Sequence, residues 1–286
     1  MKTKSTPPRL VHIANLWSLV GYPPGKKEWS LEQKIAAVKE AGFDGFTTLL
    51  DAKHAQLASK HGLCTIGYFA SGKPSDFRSL IQQNGDAGAL RINVQLADHD
   101  TPVEKAVALA VRVVEEGDKL GVPCDIEVHR DTCTETPEKT YAIAAGFKKA
   151  TGRLMPMTWD FSHLSVVKHL APPYADRLIV DKALIRNSFQ FHFRPFNGHH
   201  CQIPVTDGNG RLSVEFKQWL PFLDAVLETR LSGHPPQGDI FVCPEMGPVG
   251  GGYNFEQLPN SWEEAKRLRV IIDKALIRRE PVPRAV

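Results

Sequence analysis

The stretch TPVEKAVALAVRVVEEGDKLGVPCDIEVH, residues 101–129, contains one complete unit of the fold. Thr101-Pro102 marks the start of a helix and Gly121 marks its end, the usual positions of proline and glycine. The segment between them is amphipathic, as a helix packed on a core is. The segment Asp125–His129, a candidate strand, follows shortly after. The stretch therefore predicts a helix that leads into a buried strand.

The same alternation of helix and strand recurs along the whole chain. Near-continuous apolar runs are typical of strands buried on both faces. We predict eight strands: Leu10–Ala14, Gly45–Leu49, Leu63–Phe69, Leu90–Gln95, Asp125–His129, Pro156–Phe161, Ser188–Arg194 and Ile240–Glu245. Eight strand–helix units imply parallel strands joined by right-handed crossovers. With 286 residues, the prediction is an α/β fold, a single (β/α)8 TIM barrel domain over residues 1–286.

Helix starts and stops support this division of the chain. Ser30 and Gln33 form the pattern of a capping box, and Gly42 follows as a stop signal. Thr136-Pro137 repeats the start signal, and Ser213 and Ser261 are predicted to begin the last two helices.

Composition excludes several classes of protein. The net charge of +3, from 35 basic and 32 acidic residues, predicts neither nucleic acid nor a membrane as partner. No apolar run approaches a membrane span, and MKTKSTPPRL lacks the apolar core of a signal peptide. The five cysteines form no CxxC pair, which favours a reducing compartment, and we predict a cytoplasmic protein. Dinucleotide and P-loop glycine motifs are absent from the sequence.

Polar residues at strand ends indicate the chemistry, because a barrel of this type forms its active site there. Four consecutive predicted strands end in or next to Glu127, Asp160, His192 and Glu245. Burying carboxylates together is costly unless a cation compensates them. These residues predict a site for one divalent metal ion: Mn²⁺, Mg²⁺, Co²⁺ or Zn²⁺, among which ligand type alone does not choose.

The order Glu…Asp-x-x-His…His-x-Arg…Glu resembles the xylose isomerase-like superfamily of sugar isomerases and epimerases. The resemblance implies that Glu127, Asp160, His192 and Glu245 bind the metal, which holds a substrate carbonyl and its neighbouring hydroxyl. It also implies that Glu127 and Glu245 carry protons on the two substrate faces. His163 and Arg194 would hold substrate hydroxyls or stabilise the enediolate.

Two reactions stay open. The first is a divalent-metal-dependent sugar isomerase or epimerase that removes a proton α to a carbonyl through a metal-held enediolate. The second is a metal-dependent dehydratase of a cyclic keto-polyol such as 3-dehydroshikimate, which starts with the same step and then eliminates water. The run from Glu127 and His129 through Thr132, Thr134 and Thr136-Pro137 resembles such dehydratases, and Cys133 replaces an acidic residue of ketose epimerases.

Further substrate contacts are predicted on the same rim. His129 lies two residues after Glu127 and points the same way on a regular strand. The long segment PFNGHHCQIPVTDGNGRLS after the seventh strand is a candidate lid that carries His200. Predicted aromatic wall residues are Trp17, Tyr68 and Trp159. We take His129, His163, Arg194, His200 and Tyr68 as the substrate-contacting set.

Other classes fit less well. A zinc apurinic-site endonuclease of this fold has additional histidines on earlier strands, where this chain has Tyr68 and Gln95. A non-enzymatic sugar-binding or assembly subunit is an alternative that the ligand set argues against. The predicted partner is a small-molecule keto sugar or polyol, and a homo-oligomer is possible because superfamily members are often dimers or tetramers.

Overall fold

Eight parallel strands form a closed barrel in the computed structural model, which describes residues 8–233 and 235–277. Each strand pairs with the next, and the last pairs with the first. The strands are β1 Leu10–Asn15, β2 Gly45–Thr48, β3 Cys64–Ser71, β4 Ala89–Leu96, β5 Cys124–Glu127, β6 Met157–Trp159, β7 Gln190–His192 and β8 Ile240–Cys243. The predicted (β/α)8 TIM barrel is confirmed. Residues 1–7, 234 and 278–286 of the predicted domain, with most of the MKTKSTPPRL segment, lie outside the described residues.

Helices surround the barrel. Within the described residues they are α1 Leu31–Glu40, α2 Ala52–His61, α3 Pro74–Asp86, α4 Val103–Leu120, α5 Pro137–Thr151, α6 Phe161–Val167, α7 Ala175–Leu178, α8 Lys182–Arg186, α9 Val214–Leu231 and α10 Ser261–Ile277. No helix in this part of the chain is long and apolar enough to cross a membrane. The cytoplasmic location and a homo-oligomeric state stay predictions.

Most helix boundaries follow the predicted capping signals. Ser30 forms the predicted capping box with Gln33. Gly121 ends α4 with a φ of +71°, a left-handed conformation that glycine adopts without strain. The last helix begins at Ser261, but Asn260 caps it by accepting hydrogen bonds from the following backbone N–H groups.

Five predicted strands, β2 and β5 to β8, end one or two residues earlier than expected. β6 stops before Asp160 because the Oδ1 atom of this residue caps α6, accepting from the backbone N (3.0 Å) and the hydroxyl (2.5 Å) of Ser162. β5 ends at Glu127 and β7 at His192. The four predicted metal ligands therefore lie at strand ends or within two residues of them.

Inward-facing side chains fill the barrel in layers. Below the rim, Asp125 accepts two hydrogen bonds from Arg91, both at 2.6 Å, and one from Gln190 at 2.5 Å. Because side chains alternate along a strand, the residues two positions further on also point inward, one layer higher. Those residues include Glu127 and His192, and the packed layer beneath them supports the site.

Candidate active site

A cavity of about 320 Å³ opens at the carboxyl ends of the strands. This is the end of a (β/α)8 barrel at which functional sites form. Its lining consists of Asn15, Trp17, Thr47, Thr48, Tyr68, Asn93, Gln95, Glu127, His129, His192, Arg194, Glu245 and Tyr253. The predicted metal ligands form one wall of this cavity and the layer directly behind it.

Four buried side chains converge on a single point. One potential ligand atom from each of Glu127, Asp160, His192 and Glu245 lies within 4.8 Å of all the others. The Nδ1 atom of His192 is 3.1 Å from Glu127 Oε1 and 3.2 Å from Glu245 Oε2. All four residues are at most 6% exposed. The sequence prediction thus selected residues that the fold brings together.

The residues fit a divalent cation, as two buried atoms show. Asp160 Oδ2 and His192 Nδ1 have no hydrogen-bond partner among the described residues. Arg194 Nη2 and His163 Nε2 lie 3.2 and 3.3 Å from Asp160 Oδ2, but without hydrogen-bond geometry. Buried polar atoms are normally satisfied. Three carboxylates and one imidazole are also a ligand set that suits a divalent ion.

The carboxylates of this cluster are held in the ionised form. Burial by itself raises the pKa of Glu127 and Glu245, but their neighbours reverse that effect. His192 lowers the pKa of Glu127, and Arg194 together with His192 holds the pKa of Glu245 well below its usual range. Despite burial, the two glutamates raise the pKa of His192 well above normal. The cluster therefore attracts positive charge strongly.

Two amides fix the outer oxygens of the glutamates. Asn93 donates from Nδ2 to Glu127 Oε2 at 2.9 Å, and Asn15 donates from Nδ2 to Glu245 Oε1 at 2.5 Å. Sequence reasoning missed both asparagines because an uncharged amide at a strand end has no distinctive pattern. The available signal was the alternation of side chains along a strand, which makes Asn93 on β4 point into the barrel as Glu127 on β5 does.

Comparison with known proteins supports the architecture. No protein-family model matches the chain, and no curated protein sequence matches it. Among solved structures, L-ribulose 3-epimerase matches with a TM-score of 0.58 and 16% identity, covering 94% of both chains. A xylose isomerase-like TIM barrel protein from Mycobacterium smegmatis, in complex with magnesium, matches with a TM-score of 0.59 and 15% identity over 95% of this chain and 98% of that one. The fold is that of a xylose isomerase-like barrel.

A dehydratase shares this fold as well. The probable 3-DHS dehydratase AsbF from Bacillus anthracis, involved in petrobactin synthesis, matches with a TM-score of 0.55 and 15% identity. The match covers 94% of this chain and 99% of that one. Xylose isomerase-like barrels with different reactions are therefore equally close in fold, and only the site can indicate the reaction.

Three of the five predicted substrate-contacting residues line the cavity: Tyr68, His129 and Arg194. Tyr68 donates its hydroxyl to Gln95 Oε1 at 2.9 Å. Burial raises the pKa of Tyr68 to about 12, with Glu127 adding to the effect. The phenol is therefore protonated at neutral pH and acts as a hydrogen-bond donor.

The two other predicted contacts lie elsewhere. His163 is fully buried, with its ring centroid 4.0 Å from that of His129, and burial lowers its pKa to about 4. It is therefore neutral at pH 7, and it packs against the His129 ring and lies next to the Asp160 carboxylate. His200 is exposed and does not line the cavity, because Asn197 Oδ1 accepts from the backbone N–H groups of both His199 and His200 and turns the loop outward.

Arg194 lines the cavity and also contacts the carboxylate cluster. It is 2% exposed, and its Nη2 atom lies 2.5 Å from Glu245 Oε2 and 3.2 Å from Asp160 Oδ2. The guanidinium therefore contacts the carboxylates of the cluster directly. Its Nε and Nη1 atoms are buried without a hydrogen-bond partner among the described residues.

An aromatic corner completes the wall. Trp17 lines the cavity as predicted, and its ring meets that of Tyr253 edge-on at 4.7 Å. Trp159 belongs to the core instead, with no exposed surface. A Cβ atom on Gly247 would lie 2.3 Å from the Trp17 ring, and one on Gly251 would lie 2.9 Å from it. These glycines therefore serve the packing of Trp17. Tyr253 was not predicted, because its position depends on the loop after β8.

Proposed function

We propose that the protein is a divalent-metal-dependent isomerase or epimerase of a keto sugar or related polyol. One observation carries the proposal: Glu127 and Glu245 approach the same His192 nitrogen, at 3.1 and 3.2 Å, beside a cavity of about 320 Å³. Two carboxyl groups at one cavity can serve both halves of a proton transfer: an ionised one accepts the proton, and one that has become protonated donates it.

The reaction follows from this arrangement. One glutamate removes the proton from the carbon next to the substrate carbonyl, and the electron pair of that C–H bond moves onto the carbonyl oxygen. Return of a proton to the opposite face gives an epimer, and return to the neighbouring carbon gives an isomer. Asn93 and Asn15 keep the glutamates aligned by holding the oxygen of each that faces away from His192.

Glu127, Asp160, His192 and Glu245 are the residues that would hold the ion. When bound, a divalent cation polarises the carbonyl and stabilises the charge that develops on oxygen, which contributes several kcal/mol to such reactions. Arg194 adds a positive charge beside Glu245 and Asp160, so the chain itself also favours an anionic oxygen in this place.

The remaining lining suits a polyol. Thr47, Thr48, Tyr68, Asn93 and Gln95 provide neutral hydroxyl and amide groups. Such groups donate and accept hydrogen bonds and orient several hydroxyls without requiring a charge on the ligand. The supported substrate is therefore a small molecule with a carbonyl and several hydroxyls.

The dehydratase is the second candidate, favoured by the loop after β5. Thr134 donates its hydroxyl to the Glu127 carbonyl oxygen at 2.6 Å, and Thr132 donates to the His129 carbonyl oxygen at 2.7 Å. These bonds fix His129 at the cavity wall beside Glu127. An imidazole there is placed to give a proton to a departing hydroxyl, the second step of an elimination.

Deuterium exchange tests both reactions at once. Mn²⁺-loaded protein is incubated in D2O with a panel of ketoses and cyclic keto-polyols, and the products are analysed by mass spectrometry. An isomerase or epimerase incorporates one deuterium on carbon and keeps the other atoms, whereas a dehydratase yields a product lacking one water. Absence of exchange and of dehydration across the panel would contradict the proposal.

A further inference from the structure

We propose that the substrate bears a carboxylate, and that Arg130 and Arg194 bind it beside Tyr253 at the mouth of the cavity. This inference rests on the proposed function and narrows its substrate class. Three features support it: an incompletely satisfied buried arginine, an exposed arginine with no carboxylate partner in the described part of the chain, and the balance of charge.

Arg194 is the buried half of this site. Its Nη2 atom lies 2.5 Å from Glu245 Oε2 and 3.2 Å from Asp160 Oδ2. Its Nε and Nη1 atoms have no hydrogen-bond partner among the described residues. A buried donor without a partner costs about 1–3 kcal/mol. A ligand with acceptor oxygens removes this cost when it enters the cavity that Arg194 lines.

Arg130 is the exposed half. Its Nη1 atom donates to Cys201 Sγ at 3.8 Å, but no carboxylate of residues 8–233 and 235–277 lies within 4.0 Å of its guanidinium, so its charge is not neutralised by an ion pair there. Its Cζ atom lies 4.7 Å from the centroid of the Tyr253 ring, and the Cζ atom of Arg194 lies 4.8 Å from the same centroid. Both guanidinium groups are thus held against one aromatic side chain of the cavity wall.

The loop that carries Arg130 is held in an uncommon conformation. Asp131 has a φ of +59°, which non-glycine residues rarely adopt. The Asp131 backbone N–H donates to Glu135 Oε2 at 3.1 Å, and Thr132 secures the preceding His129 carbonyl. These contacts fix the backbone that carries Arg130 beside Tyr253, a residue of the cavity wall.

The charge balance favours a singly charged ligand. Glu127, Asp160 and Glu245 carry three negative charges, which Arg194 and one divalent cation together balance. Arg130 remains as one positive charge at the mouth. A carboxylate carries one negative charge at pH 7, whereas a phosphate monoester carries about −1.5 to −2. The described lining residues of the opposite half of the cavity are uncharged, so they would not balance a second negative charge on the ligand. They are Asn15, Thr47, Thr48, Tyr68, Asn93 and Gln95.

Isothermal titration calorimetry on the Mg²⁺-loaded protein tests the inference with three matched probes. These are D-fructose, D-fructuronate, in which the terminal carbon is a carboxylate, and D-fructose 6-phosphate. We expect D-fructuronate to bind about tenfold more tightly than D-fructose, as one charge-assisted contact predicts. Arg130→Gln should remove that preference and leave D-fructose binding unchanged, and Arg130→Lys should retain part of it.

Arg153→Gln is the matched control, because Arg153 is an exposed arginine paired with Asp118 after the end of α5. It removes the same charge and should change no affinity. Equal affinities for D-fructuronate and D-fructose, or no measurable D-fructuronate binding, would overturn the inference. Tighter binding of D-fructose 6-phosphate would overturn the carboxylate in favour of a phosphate.

The inference and the proposed function fail in different ways. Anion-selective binding without deuterium exchange on any substrate would contradict only the proposed function. Exchange on neutral ketoses, unaffected by Arg130→Gln and with no anion preference, would contradict only the inference.

Discussion

The two halves of the barrel rim share one backbone geometry and differ in chemistry. Strands β1 to β4 contribute neutral groups to the cavity: Asn15, Thr47, Thr48, Tyr68, Asn93 and Gln95. Strands β5 to β8 and their loops contribute the ionisable ones: Glu127, His129, His192, Arg194 and Glu245. Under the proposed function, the charged half transfers the proton and the neutral half orients the substrate hydroxyls.

The two halves meet in two places, between β4 and β5 and between β8 and β1, which we call the seams. At each seam an asparagine side chain donates a hydrogen bond to a glutamate carboxylate. Asn93 of β4 holds Glu127 of β5, and Asn15 of β1 holds Glu245 after β8. A neutral donor orients a carboxylate without adding charge to the cluster. The comparison indicates that the neutral half holds the two glutamates in place, and in the proposed reaction it would orient the substrate as well.

The largest expected effect lies in the charged half. Glu245→Gln removes a proton carrier and a metal ligand, and should reduce turnover by about 10³-fold, within the range of general acid–base contributions. The barrel should remain folded, because this rim carboxylate adds little to the apolar core. Deuterium exchange measures turnover, and circular dichroism checks the fold. Turnover within tenfold of wild type would remove Glu245 from the mechanism.

The seams should show the next largest effect. Asn93→Ala removes the hydrogen bond to Glu127 and should lower kcat about 10- to 100-fold, the value of one hydrogen bond to a charged group. KM should change less, because the amide acts through the carboxylate. Steady-state kinetics separate the two constants. A variant that changes KM alone would show that Asn93 contacts only substrate and would break the symmetry of the seams.

A smaller effect is expected within the neutral half. Tyr68→Phe removes a hydroxyl that is protonated across the working range, since burial raises its pKa to about 12. We expect about a tenfold rise in KM, little change in kcat and an unchanged pH profile between about pH 7 and 10. A profile that shifts in the variant would contradict the role of Tyr68 as a simple donor.

The smallest effect lies on the outer face of β1, where His12 contacts Asp273 of α10 at 2.5 Å. Burial lowers the pKa of His12 below its ordinary value, although Asp273 opposes this. As pH falls, the unfolded chain binds the proton first, so stability is present at pH 7 and is lost at lower pH. Urea unfolding at pH 7 and 5 should show a smaller loss in His12→Asn than in wild type. Equal losses would exclude His12 as the cause.

The fold was predictable because its signals are local and repeated. Capping residues such as Ser30 and Thr136 act within one turn of helix, and several of the buried strands are short runs of mostly apolar residues. Strand ends were less predictable. Asp160 follows an apolar run, yet its side chain caps the next helix and ends the strand early. Competition between a cap and a strand is decided by three-dimensional packing.

The site was predictable where charge marks it. Glu127 and Glu245 are charged residues at or just after the ends of strands, which makes them easy to recognise in the sequence. Asn15 and Tyr253 carry no charge, and their positions depend on contacts made across the barrel. His200 was predicted to contact the substrate but lies outside the cavity, in a loop whose backbone N–H groups donate to Asn197 Oδ1. Loop direction is a tertiary property, and the sequence of the loop does not contain it.

Metal content measured by mass spectrometry tests the central claim most directly. Wild-type protein and Asp160→Ala are loaded with Mn²⁺, desalted and analysed, with Asp118→Ala as a surface carboxylate control. The account predicts about one equivalent of metal in the wild type and the control, and loss of that metal in Asp160→Ala. Equal retention in all three proteins, or none in the wild type, would contradict a divalent cation site formed by strands β5 to β8.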